Sequence, residues 1–234
     1  MSVKTFFSQT KRTITGGNVQ INNFNGSFGN GGFHSGSIVQ IIGSGIQKTV
    51  ALNPKPFSRL KVKGCFDINF ILSHSESIQI IADDNLVDLV DLEYAADTLI
   101  VGFKENVSFQ TQNPLLINIA YPRLDAVELK GSGNINVANL DQDTFEVLLK
   151  GSGDIDLKGT VGHAILTLSG SGDIDAIALK ALSVDAKLKG SGDIEATATN
   201  AADVRLSGSG DIKIYGNPPS RQKKCSGSGD IKFK

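Results

Sequence analysis

From Asp125 to the end of the chain, apolar and polar residues alternate with a period of two, pause at a glycine-rich corner and resume in phase. The corner reads Gly-Ser-Gly-Asp-Ile from Gly151, Gly170, Gly190, Gly208 and Gly227, and Gly-Ser-Gly-Asn-Ile from Gly131. Before the corner, one position holds Leu129, Leu149, Leu168, Leu188, Leu206 and Cys225, and two residues earlier stand Val127, Val147, Leu166, Ala186, Val204 and Lys223. After it come Ile135, Ile155, Ile174, Ile194, Ile212 and Ile231, then Val137, Leu157, Ala176, Ala196, Ile214 and Phe233. A period near twenty residues with repeating inward positions describes coils that cannot bury their apolar face alone and do so by stacking. The expected fold is all-β: a parallel β-solenoid, right-handed and β-helix-like. Each coil is expected to hold two strands of four to six residues, the Gly-Ser-Gly turn and a second, variable turn.

Upstream, the alternation is less regular. Strand-like runs occupy Ile38 to Ile42, Gln47 to Leu52, Arg59 to Lys63, Asp67 to Leu72, Ser77 to Ala82, Thr98 to Phe103 and Leu115 to Ala120. Between two of them, Asp83-Asp84-Asn85 offers N-capping side chains and Leu86, Leu89 and Val90 share a helical face, which predicts one short helix. Lys63-Gly64-Cys65-Phe66-Asp67-Ile68 reads as a degenerate early coil, and Ile42-Gly43-Ser44-Gly45-Ile46 as a weaker echo. Residues 1–36 are a polar Asn/Gly-rich leader, read as a flexible segment or an irregular first strand. The expected organisation is therefore leader 1–36, irregular β region 37–124, and regular repeats 125–234 continuous with it.

Composition narrows the functional classes. A net charge of −1 gives no basic footprint for nucleic acid, and no apolar run is long enough to span a bilayer. The first twelve residues lack the apolar segment and cleavage site of a secretory signal, which leaves a cytoplasmic or non-classically exported location open. His34, His74 and His163 lie far apart and predict neither a zinc site nor a triad. Six copies of one serine argue for a structural role, so no catalytic residues are assigned and the protein is read as a non-enzyme. Cys65 and Cys225 read as isolated thiols, Cys225 as a small buried hydrophobe in the leucine column.

The corner glycines are expected to supply positive φ, and the isoleucines to pack. The acidic member leaves two readings open. Asp154, Asp173, Asp193, Asp211 and Asp230 would stack about 4.8 Å apart, where like charges repel. Either each carboxylate accepts N–H groups across its own turn or the neighbouring serine hydroxyl, or the column is a row of Ca²⁺ sites. Lys130, Lys150, Lys158, Lys180, Lys187 and Lys189 are available to pair with it.

The run Gly208-Ser-Gly-Asp-Ile-Lys-Ile-Tyr-Gly-Asn-Pro-Pro with Cys225-Ser-Gly-Ser-Gly-Asp-Ile, and the approach Ile117-Asn-Ile-Ala-Tyr-Pro-Arg-Leu-Asp-Ala-Val-Glu-Leu-Lys-Gly-Ser-Gly, resemble the auto-transporter adhesin head domain, or GIN domain. The resemblance covers about Lys55 to Phe233. It implies a β-solenoid-like fold in mostly bacterial, exported or surface-attached proteins, and brings no catalytic or binding residues. The resulting expectation is a binding or adhesion module that offers an extended surface to a protein or glycan partner. The alternative is a structural module that self-associates through its solenoid ends, where strand edges stand open unless residues 1–36 or another subunit cover them. A carbohydrate-active β-helix enzyme is the remaining, weaker alternative.

Overall fold

Alternation with apolar residues on one side makes strands, and in the computed structural model the chain forms eighteen over the described residues 19–22, 38–104 and 107–234. The irregular region contributes β1 (Val19–Asn22), β2 (Ile38–Ile42), β3 (Gln47–Leu52), β4 (Arg59–Gly64), β5 (Asp67–Leu72) and β6 (Ser77–Asp83). It continues with β7 (Val90–Ala95), β8 (Thr98–Phe103), β9 (Val107–Gln110) and β10 (Leu116–Tyr121). The repeats supply β11 (Ala126–Gly131), β12 (Ile135–Leu149), β13 (Ile155–Leu168), β14 (Ile174–Leu188) and β15 (Ile194–Leu206). They end in β16 (Ile212–Tyr215), β17 (Ser220–Cys225) and β18 (Ile231–Phe233).

These strands form a β-solenoid with two faces. The front face runs β7-β8-β4-β11, then the second halves of β12, β13, β14 and β15, then β17. The back face runs β3-β6-β10-β5, then the first halves of β12 to β15, then β16 and β18. Pairing within the repeats is parallel, and each inward residue meets its equivalent one coil away: Leu129↔Leu149, Leu149↔Leu168, Leu168↔Leu188, Leu188↔Leu206 and Leu206↔Cys225. A small sheet, β1-β2-β9, adjoins the N-terminal end, where Phe103 and Phe109 pack ring to ring. The described part of the leader therefore pairs with β2; the rest of the leader lies outside the described residues.

Several expectations change. The second turn does not interrupt the coil: β12 to β15 are 13 to 15 residues long, and the bend between faces is a register shift inside a continuous strand, as between Val137 and Leu140. The short helix is a single 3-10 turn, Val87–Leu89, which carries no side-chain cap. Asp83 is instead buried as an acceptor for the Thr111 hydroxyl at 2.7 Å and the Asn113 amide, and Val90 begins a strand. Cys225 keeps its register in the leucine column but is exposed, because among the described residues β17 is the outermost strand of the front face. Cys65 is also exposed and unpaired.

The degenerate coil is real. Gly64 pairs with Gly131, Ile68 with Ile135, and the Asn134 N–H donates to Asp67 Oδ1 at 3.1 Å. The echo at Gly43 is not a coil corner; its N–H donates to the Gln110 carbonyl.

Candidate functional site

The corner was the first candidate, and its geometry is mainly that of a clamp between coils. A Cβ on Gly170 would lie 2.0 Å from the Gly151 carbonyl oxygen, and one on Gly172 would lie 1.9 Å from that of Gly153; the other repeat glycines are crowded in the same way. Most of these glycines have no positive φ, Gly131 being the exception among them. Their requirement is therefore close approach of stacked backbones, which corrects the expectation of left-handed turns.

The aspartates form a ladder along the stack. The N–H of Asp173 donates to Asp154 Oδ1 at 2.9 Å, that of Asp193 to Asp173 Oδ1 at 2.7 Å, that of Asp211 to Asp193 Oδ1 at 2.7 Å, and that of Asp230 to Asp211 Oδ1 at 2.8 Å. In return, each aspartate carbonyl accepts the N–H of the isoleucine one coil back, as in Ile174 to Asp193 at 3.0 Å. The acceptors thus serve the next coil, not their own turn or the serine. The expected lysine partners are absent from the column among the described residues; Lys232 pairs with Asp230 at 3.1 Å. Among those residues, no three His, Cys, Asp or Glu side chains converge to hold a metal ion.

Outward positions carry the surface chemistry. One column of the back face reads Asn118, Asn69, Asn136, Asp156, Asp175, Glu195, Lys213 and Lys232 in adjacent strands. Its first part is an amide ladder: Asn136 Nδ2 donates to Asn69 Oδ1 at 3.2 Å, and Asn69 Nδ2 to Asn118 Oδ1 at 3.0 Å. Beside it, Ile71, Ala120 and Ala138 make an apolar shelf, with Ile71 45% exposed. Ladder and shelf line an open groove of about 430 Å³.

Farther along the column, burial and then Asp175 and Asp154 push the Asp156 carboxyl up, with Lys158 opposing. Glu195 is held low by the Lys213 ammonium at 2.7 Å, against a burial effect, with help from the Tyr215 hydroxyl at 3.0 Å. The amide ladder was not singled out from the sequence, although Ile68-Asn69, Ile117-Asn118 and Ile135-Asn136 repeat one dipeptide beside inward positions.

On the front face, two outward columns flank the corner. One holds Lys61, Glu128, Leu148, Thr167, Lys187, Arg205 and Lys224. The other holds Lys63, Lys130, Lys150, Ser169, Lys189, Ser207 and Ser226. At one end, the charges neutralise each other: Glu128 takes Lys61 at 2.9 Å and Lys130 at 3.0 Å, which outweigh burial and hold its carboxyl low. At the other end, Arg205 pairs with Asp203 at 2.7 Å, while Lys187, Lys189 and Lys224 have no carboxylate within ion-pair distance among the described residues.

Where the coil bends, His163, Ser183 and Asp185 come together, a grouping the sequence reading missed. His163 Nδ1 lies 2.7 Å from the Ser183 hydroxyl and Nε2 lies 3.5 Å from Asp185. The Ser183 hydroxyl also lies 3.2 Å from the Gly162 carbonyl, and the imidazole tautomer sets which of the two contacts takes its proton. No hydrogen bond or ion pair among the described residues joins His74 to this group, and His34 lies outside the described residues. No helix among the described residues is long and apolar enough to cross a membrane.

Known proteins share this architecture. A putative adhesin from Bacteroides fragilis NCTC 9343 is 26% identical with a TM-score of 0.72, over 83% of this chain and 100% of that one. A putative adhesin from Parabacteroides distasonis ATCC 8503 is 21% identical with a TM-score of 0.51, over 83% and 100%. One from Parabacteroides merdae ATCC 43184 is 20% identical with a TM-score of 0.50, over 83% and 99%; at these identities the latter two share the fold alone. No curated protein matches the chain. The family described as "Putative auto-transporter adhesin, head GIN domain" matches residues 56–218, which take in the degenerate coil, the amide ladder and most of the clamped corners. By that match over most of its length, and by the stacked-coil architecture, the chain belongs to the GIN-domain family of adhesin head domains.

Proposed function

We propose that this domain is a non-catalytic adhesion module that binds a hydroxyl-rich glycan along its back face. The observation that carries the reading is the amide ladder Asn118-Asn69-Asn136 beside the exposed Ile71 shelf. Each ladder amide uses part of its hydrogen-bonding capacity on its neighbour, which fixes the plane of the group and leaves further donor and acceptor sites for a ligand. A sugar ring presents hydroxyls at its rim and C–H groups on its face, so polar ladder and apolar shelf suit opposite parts of it. Support also comes from the mount: stacked strands hold the ladder at fixed spacing, so little ordering cost falls on the protein side when ligand binds.

A glycan array followed by calorimetry tests this. The expected result is binding that falls about tenfold in both Asn69→Ala/Asn136→Ala and Ile71→Asp, with the glycan recovered intact. Undiminished binding in both variants, or cleavage of the glycan, overturns it.

A further inference from the structure

We propose a second binding surface, independent of the glycan groove: the C-terminal half of the front face binds an anionic polysaccharide. Lys187, Arg205 and Lys224 stand opposite one another in successive parallel strands, which spaces their backbones about 4.8 Å apart. Lys189 lies beside them, and the four side chains line a depression of about 370 Å³. Among the described residues, Lys187, Lys189 and Lys224 have no carboxylate within ion-pair distance, while Arg205 is held by Asp203 at 2.7 Å. The contrast with the N-terminal half of the same columns is direct, since there Glu128 satisfies two lysines at once.

Stacked like charges repel, and among the described residues Arg205 alone of these four cations has a carboxylate partner, Asp203, to offset that. A ligand with anionic groups repeated along an extended chain supplies the remaining counter-charge, and several weak exposed pairs act together when one chain carries all the anions. The hydroxyls of Ser207 and Ser226 border the depression and donate to the Leu188 and Leu206 carbonyls, which leaves their lone pairs to accept from sugar hydroxyls. A nucleic acid is the poorer fit, because these columns present no aromatic ring for base stacking. A lipid surface is also poorer, because the large exposed hydrophobics, such as Ile177 and Leu182, lie outside these columns.

The test measures binding of the full chain to dextran sulfate and polygalacturonate, with neutral dextran, oligo(dT) and phosphatidylglycerol vesicles as comparators, in low salt and in 0.5 M NaCl. The acidic polysaccharides should bind in low salt and release in high salt, while neutral dextran should not bind. Lys187→Gln/Lys189→Gln/Arg205→Gln/Lys224→Gln should weaken binding by about tenfold or more. Lys48→Gln/Lys55→Gln/Lys158→Gln/Lys180→Gln, with the same charge change away from the stripe, should weaken it less than about twofold. Unfolding midpoints check that both variants fold. Equal loss in the two variants, tighter binding to oligo(dT) or vesicles than to the polysaccharides, or no binding to either polysaccharide overturns the proposal. Because none of these substitutions touches the amide ladder, neutral-glycan binding succeeds or fails separately.

Discussion

The main-chain N–H of Asp193 donates to the carboxylate of Asp173, one coil earlier, at 2.7 Å. The bond needs an acceptor, not a charge: Asn134 does the same for the Asp154 N–H at 3.2 Å. Asp173→Ala should therefore lower stability by about 1 kcal/mol, and Asp173→Asn by clearly less. Urea midpoints at unchanged m-value check this; equal losses would show that the charge matters.

The same bond bears on calcium. Asp154, Asp173, Asp193 and Asp211 offer one carboxylate per coil, each with one oxygen already engaged, whereas Ca²⁺ gathers six to eight oxygen ligands. Calcium titrated into chelator-stripped protein should give no binding heat from the micromolar to the millimolar range. A saturable heat lost in Asp173→Asn/Asp193→Asn would reverse this.

Glycine substitutions should divide by what lies opposite. A Cβ at Gly190 would sit 1.9 Å from the Gly170 carbonyl oxygen, while at Gly102 the nearest atom is 3.9 Å away. Gly190→Ala should cost about 3 kcal/mol or more, and Gly102→Ala less than about 0.5 kcal/mol, by chemical denaturation.

Much of the fold was legible because columns are a sequence property: the residues that meet across coils are the residues that align. What escaped depends on three-dimensional continuity. Val90–Ala95 alternates well as a strand, yet the spacing of Leu86, Leu89 and Val90 mimics a helical face at its start. The second turn contains polar residues that look like a break, but a parallel neighbour on either side keeps the backbone paired through the bend. Alignment gave the direction in which Cys225 points, not whether anything lies over it. The candidate surfaces were less legible, since an Asn ladder or an uncompensated lysine row exists only once adjacent coils are set in register.

Stability should depend on pH through Asp156. Burial, Asp175 and Asp154 raise its carboxyl pKa in the folded state, so its protonated form is favoured there and stability falls as pH rises through that value. Asp156→Asn should raise the thermal midpoint at pH 7 by about 1–2 °C, the gain being held to a fraction of a kcal/mol by solvent screening. At pH 3, below the ordinary carboxylate range, the gain should vanish. A gain that persists at pH 3 would assign it to packing or hydrogen bonding.

One column should give two mutational outcomes. Leu206 is buried and Cys225, opposite it, is exposed. Leu206→Ala should cost about 3 kcal/mol and Cys225→Ala less than about 1 kcal/mol. In the native protein, a thiol reagent at pH 8 should label Cys225 faster than Cys65, whose thiol is pushed up by burial and by Asp67 against the effect of a backbone hydrogen bond. The opposite order would place the last coil under cover.

The clamped corner also makes this domain a ruler. Because glycine meets glycine and aspartate meets aspartate at each step from Asp154 to Asp230, gaining or losing one whole coil there leaves the cross-section unchanged and alters length by about 4.8 Å. It also adds or removes a single copy of every outward position. Reach and the number of ligand contacts can therefore be adjusted together, in whole increments, without redesigning the interior.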